Sequence, residues 1–240
     1  MLIDITTTAT LRPELLEKTY ESFTKYLFKK PYDYRVIINI DPVGGNKTVD
    51  DVIKVVHRFF PTSKINTPSE PNFAKAWKWC WSQVEADFVF HLEEDWLLLR
   101  EVDIDIMLSI LTNNKDLAAL RMMKMNVPTN LNFFKSKYID KGNFLLSEDN
   151  SVAFGGNPQL IKGDFVKQSC VYLREDANPE KQFRKSSDPL WLEVVSKWDY
   201  GVYARPRDKQ MIMDLGRPWM DQNNFEKNGG ASFLMWKKHK

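Results

Sequence analysis

The sequence predicts one α/β domain, residues 1–240, with a mixed and mainly parallel central sheet flanked by helices. Three observations lead there. Runs rich in β-branched residues alternate with amphipathic helical stretches from the first residue onward. The length of 240 residues and the 43% hydrophobic content suffice for one sizeable core. An apolar strand at 87–92 ends abruptly in three acids, Glu93, Glu94 and Asp95.

Residues 2–8 (LIDITTT) and 34–40 (YRVIINI) read as strands. Between them, residues 13–28 repeat Leu15, Leu16, Thr19, Phe23 and Leu27 at helical spacing, a βαβ opening. The second strand runs into the turn cluster Asp41-Pro42-Val43-Gly44-Gly45, and helical periodicity resumes at 49–60 until Pro61 stops it. A short strand at 64–66 and a loop with Pro68 and Pro71 precede a helix at 72–85, whose Phe73, Ala76, Trp77, Cys80, Trp81 and Val84 face the core. His91 lies inside the 87–92 strand and reads as structural. Beyond it the pattern predicts a helix at 104–112, a strand at 117–123, loops and hairpins over 126–157, a helix at 158–166, a strand at 169–173, a helix at 189–197 and a strand at 201–204.

Cys80 and Cys170 are the two cysteines, and neither belongs to a CxxC pair or a Cys/His cluster, so a disulfide framework and a structural zinc are not expected. No charged leader with an apolar run opens the chain, and no stretch approaches 18 apolar residues; a cytoplasmic protein without a membrane span is the expectation. The net charge of +2 is unevenly placed: residues 1–120 carry 14 Lys+Arg against 18 Asp+Glu, and residues 121–240 carry 20 against 14. A basic half is commonly a solvated face, and alternatively meets something anionic.

In open α/β sheets ligands bind beyond the carboxyl ends of the strands. Thr6 to Thr8, Asp41 and Glu93 to Asp95 follow three such strands and would meet at one edge. Glu93 and Asp95, one residue apart where a strand breaks into a turn, can turn two carboxylates toward one Mn²⁺ or Mg²⁺, with phosphates and water completing the shell. Such a cation would stabilise the charge on a departing nucleoside diphosphate. The bland alternative is a solvated acidic turn.

The order of these motifs resembles the GT-A fold glycosyltransferases, especially those like family 2. Ile3 to Thr8 with the helix from Arg12 to Phe23 resembles that family's first strand and helix. Asp41 stands where the family has an acid contacting the nucleotide base. Asn72-Phe73-Ala74-Lys75-Ala76 is similar to its Asn-x-Gly-x-x-x-Ala stretch without the glycine. Ala86 to Asp95 looks like the strand ending in its Asp-x-Asp metal motif, with glutamate for the first aspartate. The likeness is close over residues 1–100 and patchy afterward.

The resemblance implies a single GT-A (Rossmann-like) domain with a donor half at 1–100 and an acceptor half at 101–240 ending in a basic tail. It implies metal-dependent transfer of a sugar from a nucleoside-diphosphate-sugar donor to a hydroxyl acceptor, by inversion. Thr6, Thr8, Arg12, Asp41, Asn72 and Glu94 would bind the donor, and Glu93 and Asp95 the metal, with Asp214 as a third ligand. Asp188, in Ser187-Asp188-Pro189-Leu190-Trp191-Leu192-Glu193, resembles the family's general base, with Glu193 as substitute; Asp188 before Pro189 is also an ordinary helix start. Phe154-Gly155-Gly156-Asn157-Pro158 resembles an acceptor-side loop. Trp96, Trp191 and Trp219 suit core packing better than sugar stacking.

Two rivals stand beside this reading: a non-catalytic nucleotide-sugar or glycan-binding protein on the same fold, and a nucleotidyltransferase, whose Gly-rich phosphate loop is absent. The acceptor could be a neutral glycan or, given Arg184, Lys185, Arg205, Arg207 and Lys209, an anionic polymer such as an acidic glycan or a modified nucleic-acid base.

Overall fold

The computed structural model describes residues 1–133, 136–148, 155–185, 188–229 and 234–238. The chain opens with β1 (Leu2–Ala9), α1 (Pro13–Tyr26), β2 (Asp33–Ile40), α2 (Val49–Phe59), β3 (Ser63–Asn66), α3 (Phe73–Ser82) and β4 (Phe88–His91). Each start is written locally. Pro13 presets the backbone at the first turn of α1. Thr48 and Asp51 form a reciprocal capping box on α2, and the Asn72 side chain accepts from the Lys75 N–H to cap α3.

The middle of the chain contributes β5 (Trp96–Leu98), α4 (Ile104–Asn113), β6 (Leu117–Met122), β7 (Asn132–Phe133), β8 (Ser136–Asp140), β9 (Leu145–Ser147), β10 (Gln159–Lys162), α5 (Gly163–Cys170) and α6 (Pro179–Lys185). After these come α7 (Pro189–Val195), β11 (Asp199–Tyr203), β12 (Ile212–Asp214), α8 (Gly216–Gln222), β13 (Phe225–Gly229) and β14 (Leu234–Lys238).

The main sheet runs β3-β2-β1-β4-β10-β6-β11-β9-β8-β7. Its first four strands are parallel, as expected from the βαβ opening. Parallelism then breaks: β10 is antiparallel to both β4 and β6, β6 and β11 are parallel, and β9, β8 and β7 follow as an antiparallel hairpin array. The sheet is therefore mixed, with its parallel part confined largely to the first half. One core packs Ile3, Ile5, Leu16, Phe23, Val52 and Leu111 on one face, and the other packs Trp77, Trp81, Val89, Phe165, Trp191 and Tyr200 on the opposite face. Helices thus cover both faces, which suits a sheet whose central strands are apolar on both sides.

Two expectations are corrected. Residues 158–166, read as a helix, are β10 followed by the start of α5, and residues 169–173, read as a strand, are the end of α5 and the turn after it. Gln159, Leu160 and Ile161 are buried on both faces, so no period was visible. The change from strand to helix occurs at Gly163, whose N–H donates to the Asp87 carbonyl at 2.7 Å and where a Cβ would collide with the Ala86 carbonyl oxygen. Cys80 and Cys170 are buried and unbridged. No helix among the described residues is long and apolar enough to cross a membrane.

Candidate functional site

The registers of the parallel strands decide what meets at the carboxyl edge. Thr6 lies beside His91 in the β1–β4 ladder, and Ala9 beside Ile40 in the β1–β2 ladder, so Thr8, Asp41 and the acids after β4 emerge together. They border a cavity of about 110 Å³, whose lining includes Thr8, Arg12, Asp41, Phe73, Glu93 and Glu180. Asp41 also borders a second cavity, of about 330 Å³, with Asn39, Asn66, Pro68 and Trp79.

The three acids have different fates. Glu94 accepts from Thr10 Oγ1 at 3.0 Å, from Arg12 Nε at 3.1 Å and from Arg12 Nη2. Asp95 Oδ2 accepts from Arg12 Nη2 at 3.1 Å. Arg12 is only 2% exposed. Burial pulls its pKa down, but the charges of Glu94 and Asp95 outweigh that and hold it above the ordinary value, so it remains a cation. Its guanidinium lies over the Trp219 ring, 5.2 Å from the centroid, while Trp219 Nε1 donates to Glu14 at 2.8 Å.

Asp95 is further confined by α8. Its carbonyl accepts from the Leu215 N–H at 2.8 Å, and a Cβ at Gly216 would collide with its carboxylate. Asp214 stands nearby, opposite Trp96 in the β5–β12 ladder, but its Oδ1 accepts from the Gly216 and Arg217 N–H groups at 2.9 and 3.2 Å. Asp214 thus accepts from the first N–H groups of α8. Among the described residues no three His, Cys, Asp or Glu side chains are grouped so as to hold a metal ion. Of the three expected metal ligands, Asp95 pairs with Arg12 and Asp214 accepts from the N–H groups that open α8.

Glu93 turns the other way, toward Gly156. The Gly156 N–H donates to Glu180 Oε1 at 2.6 Å, and a Cβ there would stand 3.0 Å from Glu180 Oε1 and 3.1 Å from Glu93 Oε1. The glycine admits two carboxylates to one wall of the cavity. Sequence reasoning missed Glu180. The available signal was Asn178-Pro179-Glu180, a capped helix start in which Asn178 Oδ1 accepts from the Lys181 N–H at 3.2 Å.

The other expected residues divide in the same way. Thr8 lines the first cavity, whereas Thr6 is fully buried and its Oγ1 lies 3.2 Å from His91 Nδ1. His91 also stacks on Trp77, with centroids 4.2 Å apart, and burial pushes its pKa down to about 3. Asn72 helps through its backbone N–H, which donates to Asp41 Oδ2 at 3.1 Å. Burial pushes the Asp41 carboxyl up to about 6, against the lowering effect of hydrogen bonds from Asn39 and Asn72.

Asp188 caps α7, its Oδ1 accepting from the Leu190 and Trp191 N–H groups at 3.0 and 3.4 Å, and Glu193 pairs with Lys197 at 3.0 Å on the exposed face of that helix. Neither lines the first cavity. Trp191 is core, its Nε1 donating to the Gln182 carbonyl at 2.9 Å. Phe154 and Ser187 lie outside the described residues, as do the side chains of Arg184 and Lys185.

No protein-family profile and no curated protein matches the chain in sequence. Solved structures do match. The 1–349 portion of S. aureus TarS in complex with UDP aligns with a TM-score of 0.61 at 11% identity, covering 89% of this chain and 60% of that one. The same portion in complex with UDP-GlcNAc gives 0.60 at 11% identity, covering 96% and 60%. A CMP:2-keto-3-deoxy-manno-octonic acid synthetase complexed with CTP gives 0.51 at 13% identity, covering 88% and 94%. The chain spans 37% of the length of the longer TarS structure. At such identities the likeness establishes the fold, which is GT-A-like, shared by nucleotide-sugar glycosyltransferases and a nucleotide-sugar synthetase.

Proposed function

We propose that this protein is a glycosyltransferase that binds a nucleoside-diphosphate sugar across the two cavities flanking Asp41 and moves the sugar to a hydroxyl acceptor. The observation that carries the reading is the convergence of Thr8, Asp41 and Glu93 on one cavity at the carboxyl edge of the parallel strands, where such folds bind ligands. It is supported by the shared fold with S. aureus TarS, which holds UDP and UDP-GlcNAc.

On this reading Asp41 accepts hydrogen bonds from the nucleobase, and Arg12 neutralises Glu94 and Asp95 so that they do not repel the diphosphate. A general base must reach the acceptor hydroxyl. Glu180 suits that role better than Asp188, because it lines the first cavity beside Glu93 while Asp188 caps α7. The basic second half suits an anionic acceptor, whose binding would weaken steeply with salt.

The test is calorimetric titration with UDP, GDP and CDP, followed by incubation with the matching nucleotide sugars and measurement of nucleoside diphosphate release. Binding with release supports transfer; binding without release to water or any acceptor favours the non-catalytic rival. A second reading, synthesis of a nucleotide sugar, draws on the match to the CTP-bound synthetase. Release of pyrophosphate from a nucleoside triphosphate would establish it instead.

A further inference from the structure

We infer that Gln182 is a positioning residue, whose side-chain amide closes residues 174–182 into a clasp that holds Glu180 against Gly156 at the wall of the first cavity. This rests on the transfer reading above, in which Glu180 is the base, and specifies what keeps that base in place.

In the clasp a side chain does the work of a strand. Gln182 Oε1 accepts from the Arg174 N–H at 2.9 Å, and Nε2 donates to the Arg174 carbonyl at 3.0 Å, the paired exchange that two antiparallel backbone residues make. Nε2 also donates to the Ala177 carbonyl at 2.9 Å. All three partners are backbone groups of fixed polarity, so the amide has one orientation. Gln182 is only 8% exposed, which keeps water from replacing these bonds. The other ties of the loop, Arg174 to Asp176 and Lys78 to Glu175, are ion pairs at the surface and hold it weakly.

The same side of α6 is anchored in the core. Phe183 is buried against Trp191 and Trp81, with ring centroids 4.7 and 5.7 Å apart, and Trp191 Nε1 donates to the Gln182 carbonyl at 2.9 Å. Successive residues of a helix are about 100° apart around its axis. Glu180, two positions before Gln182, therefore leaves α6 on the opposite side, where the Gly156 N–H donates to its Oε1 at 2.6 Å. Gln182 fixes the backbone that carries Glu180, and Gly156 fixes its carboxylate.

The clasp matters because α6 has only seven residues, too few to be stable without tertiary ties. A base must also sit closely, since a misplacement of about 1 Å can cost on the order of 10² in rate. With water as acceptor, Glu180 takes a proton as the water oxygen bonds to the anomeric carbon, and the nucleoside diphosphate leaves with the electrons of the broken bond.

The experiment makes Gln182→Met in the full chain, alone and together with Glu180→Gln. Methionine keeps the length of the side chain and removes all three hydrogen bonds. Gln182→Asn, which keeps the amide and shortens its reach, is made alongside and should show the same pattern. Thermal melts check folding, calorimetry measures UDP, GDP and CDP affinity, and release of nucleoside diphosphate to water is followed with the matching nucleotide sugars. Gln182→Met is expected to lower kcat by about 10 to 10², with KM and nucleotide affinity changed by less than about twofold. In the Glu180→Gln background it should change release by less than about twofold, because a residue that acts through Glu180 then has nothing to act on. Hydrogen exchange at the Gly156 N–H reports the position of Glu180 without turnover, and Gln182→Met should speed it about tenfold, as Glu180→Ala does. An unchanged kcat, equal losses in both backgrounds, a parallel loss of nucleotide affinity or unchanged Gly156 exchange overturns the positioning role and leaves the transfer reading standing. Undiminished release by Glu180→Gln overturns Glu180 as the base and the role of Gln182 with it. No release from any nucleotide sugar by the unsubstituted protein overturns the transfer reading itself.

Discussion

Arg12 Nη2 donates to Asp95 Oδ2 at 3.1 Å, and the same guanidinium binds Glu94, so two of the three acids after β4 are neutralised from within the protein. Glu94 and Asp95 of the acid turn are, in the fold, the anionic half of a buried ion-pair cluster. Trp219 closes that cluster on the other side of Arg12.

Replacing Arg12 should therefore be severe. Arg12→Met leaves Glu94 and Asp95 as buried charges without their cation and is expected to cost about 3–5 kcal/mol of stability. Arg12→Lys keeps the charge but lacks the planar fork, and should fall between the two. Denaturant unfolding measures both; a loss below about 1 kcal/mol for Arg12→Met would mean the cluster is not buried as described.

Gly216 offers an independent probe of the same cluster. A Cβ there would collide with the short, fixed carboxylate of Asp95. Gly216→Ala is expected to destabilise the protein by about 1–3 kcal/mol through overpacking. It should also weaken nucleotide binding by displacing the turn after β4. Unchanged stability and affinity would show that α8 can move away from Asp95 at little cost.

The assignment of the base separates two variants. Glu180→Gln should retain nucleotide affinity and lower transfer by about 10² to 10⁴. Asp188→Asn should change little, because asparagine caps a helix about as well as aspartate. The opposite pattern in single-turnover assays would return the role to Asp188.

Two buried groups give opposed pH dependences. His91 is neutral in the fold, with its pKa pushed down by burial from 6.5 to about 3. The unfolded chain takes up a proton below about 6.5 and the folded one does not, so this contribution is complete above that pH. It is lost as pH falls toward 3, by up to about 1.4 kcal/mol per pH unit. Asp41 acts the other way. Its pKa rises by burial from 3.8 to about 6, so its contribution is complete below 3.8 and lost as pH rises to about 6. Unfolding curves between about pH 4 and pH 8 for the protein and His91→Phe test the first effect. The stability difference should shift against the unsubstituted protein as pH falls below 6.5; a flat difference would place His91 in contact with solvent.

Much of the first half was readable in sequence because its signals are contiguous. Pro13, the Thr48 capping box and the apolar run before Glu93 each act within a few residues, and the parallel strands they delimit bring Thr8, Asp41 and Glu93 to one edge. The second half resisted because β10 is buried on both faces and carries no period, and because α6, which supplies Glu180, opens with only a short capping signal.

The sequence by itself determined the βαβ start, the strand that ends in acids, and the presence of Asp41 at the carboxyl edge, since strand periodicity and turn residues encode these locally. Only the tertiary structure decided what the acids do. Arg12 and Glu94 are 82 residues apart, and what each acid pairs with depends on which distant group packs against it. Electrostatic partners are selected by distance in space and by desolvation, and neither quantity is carried by spacing along the chain.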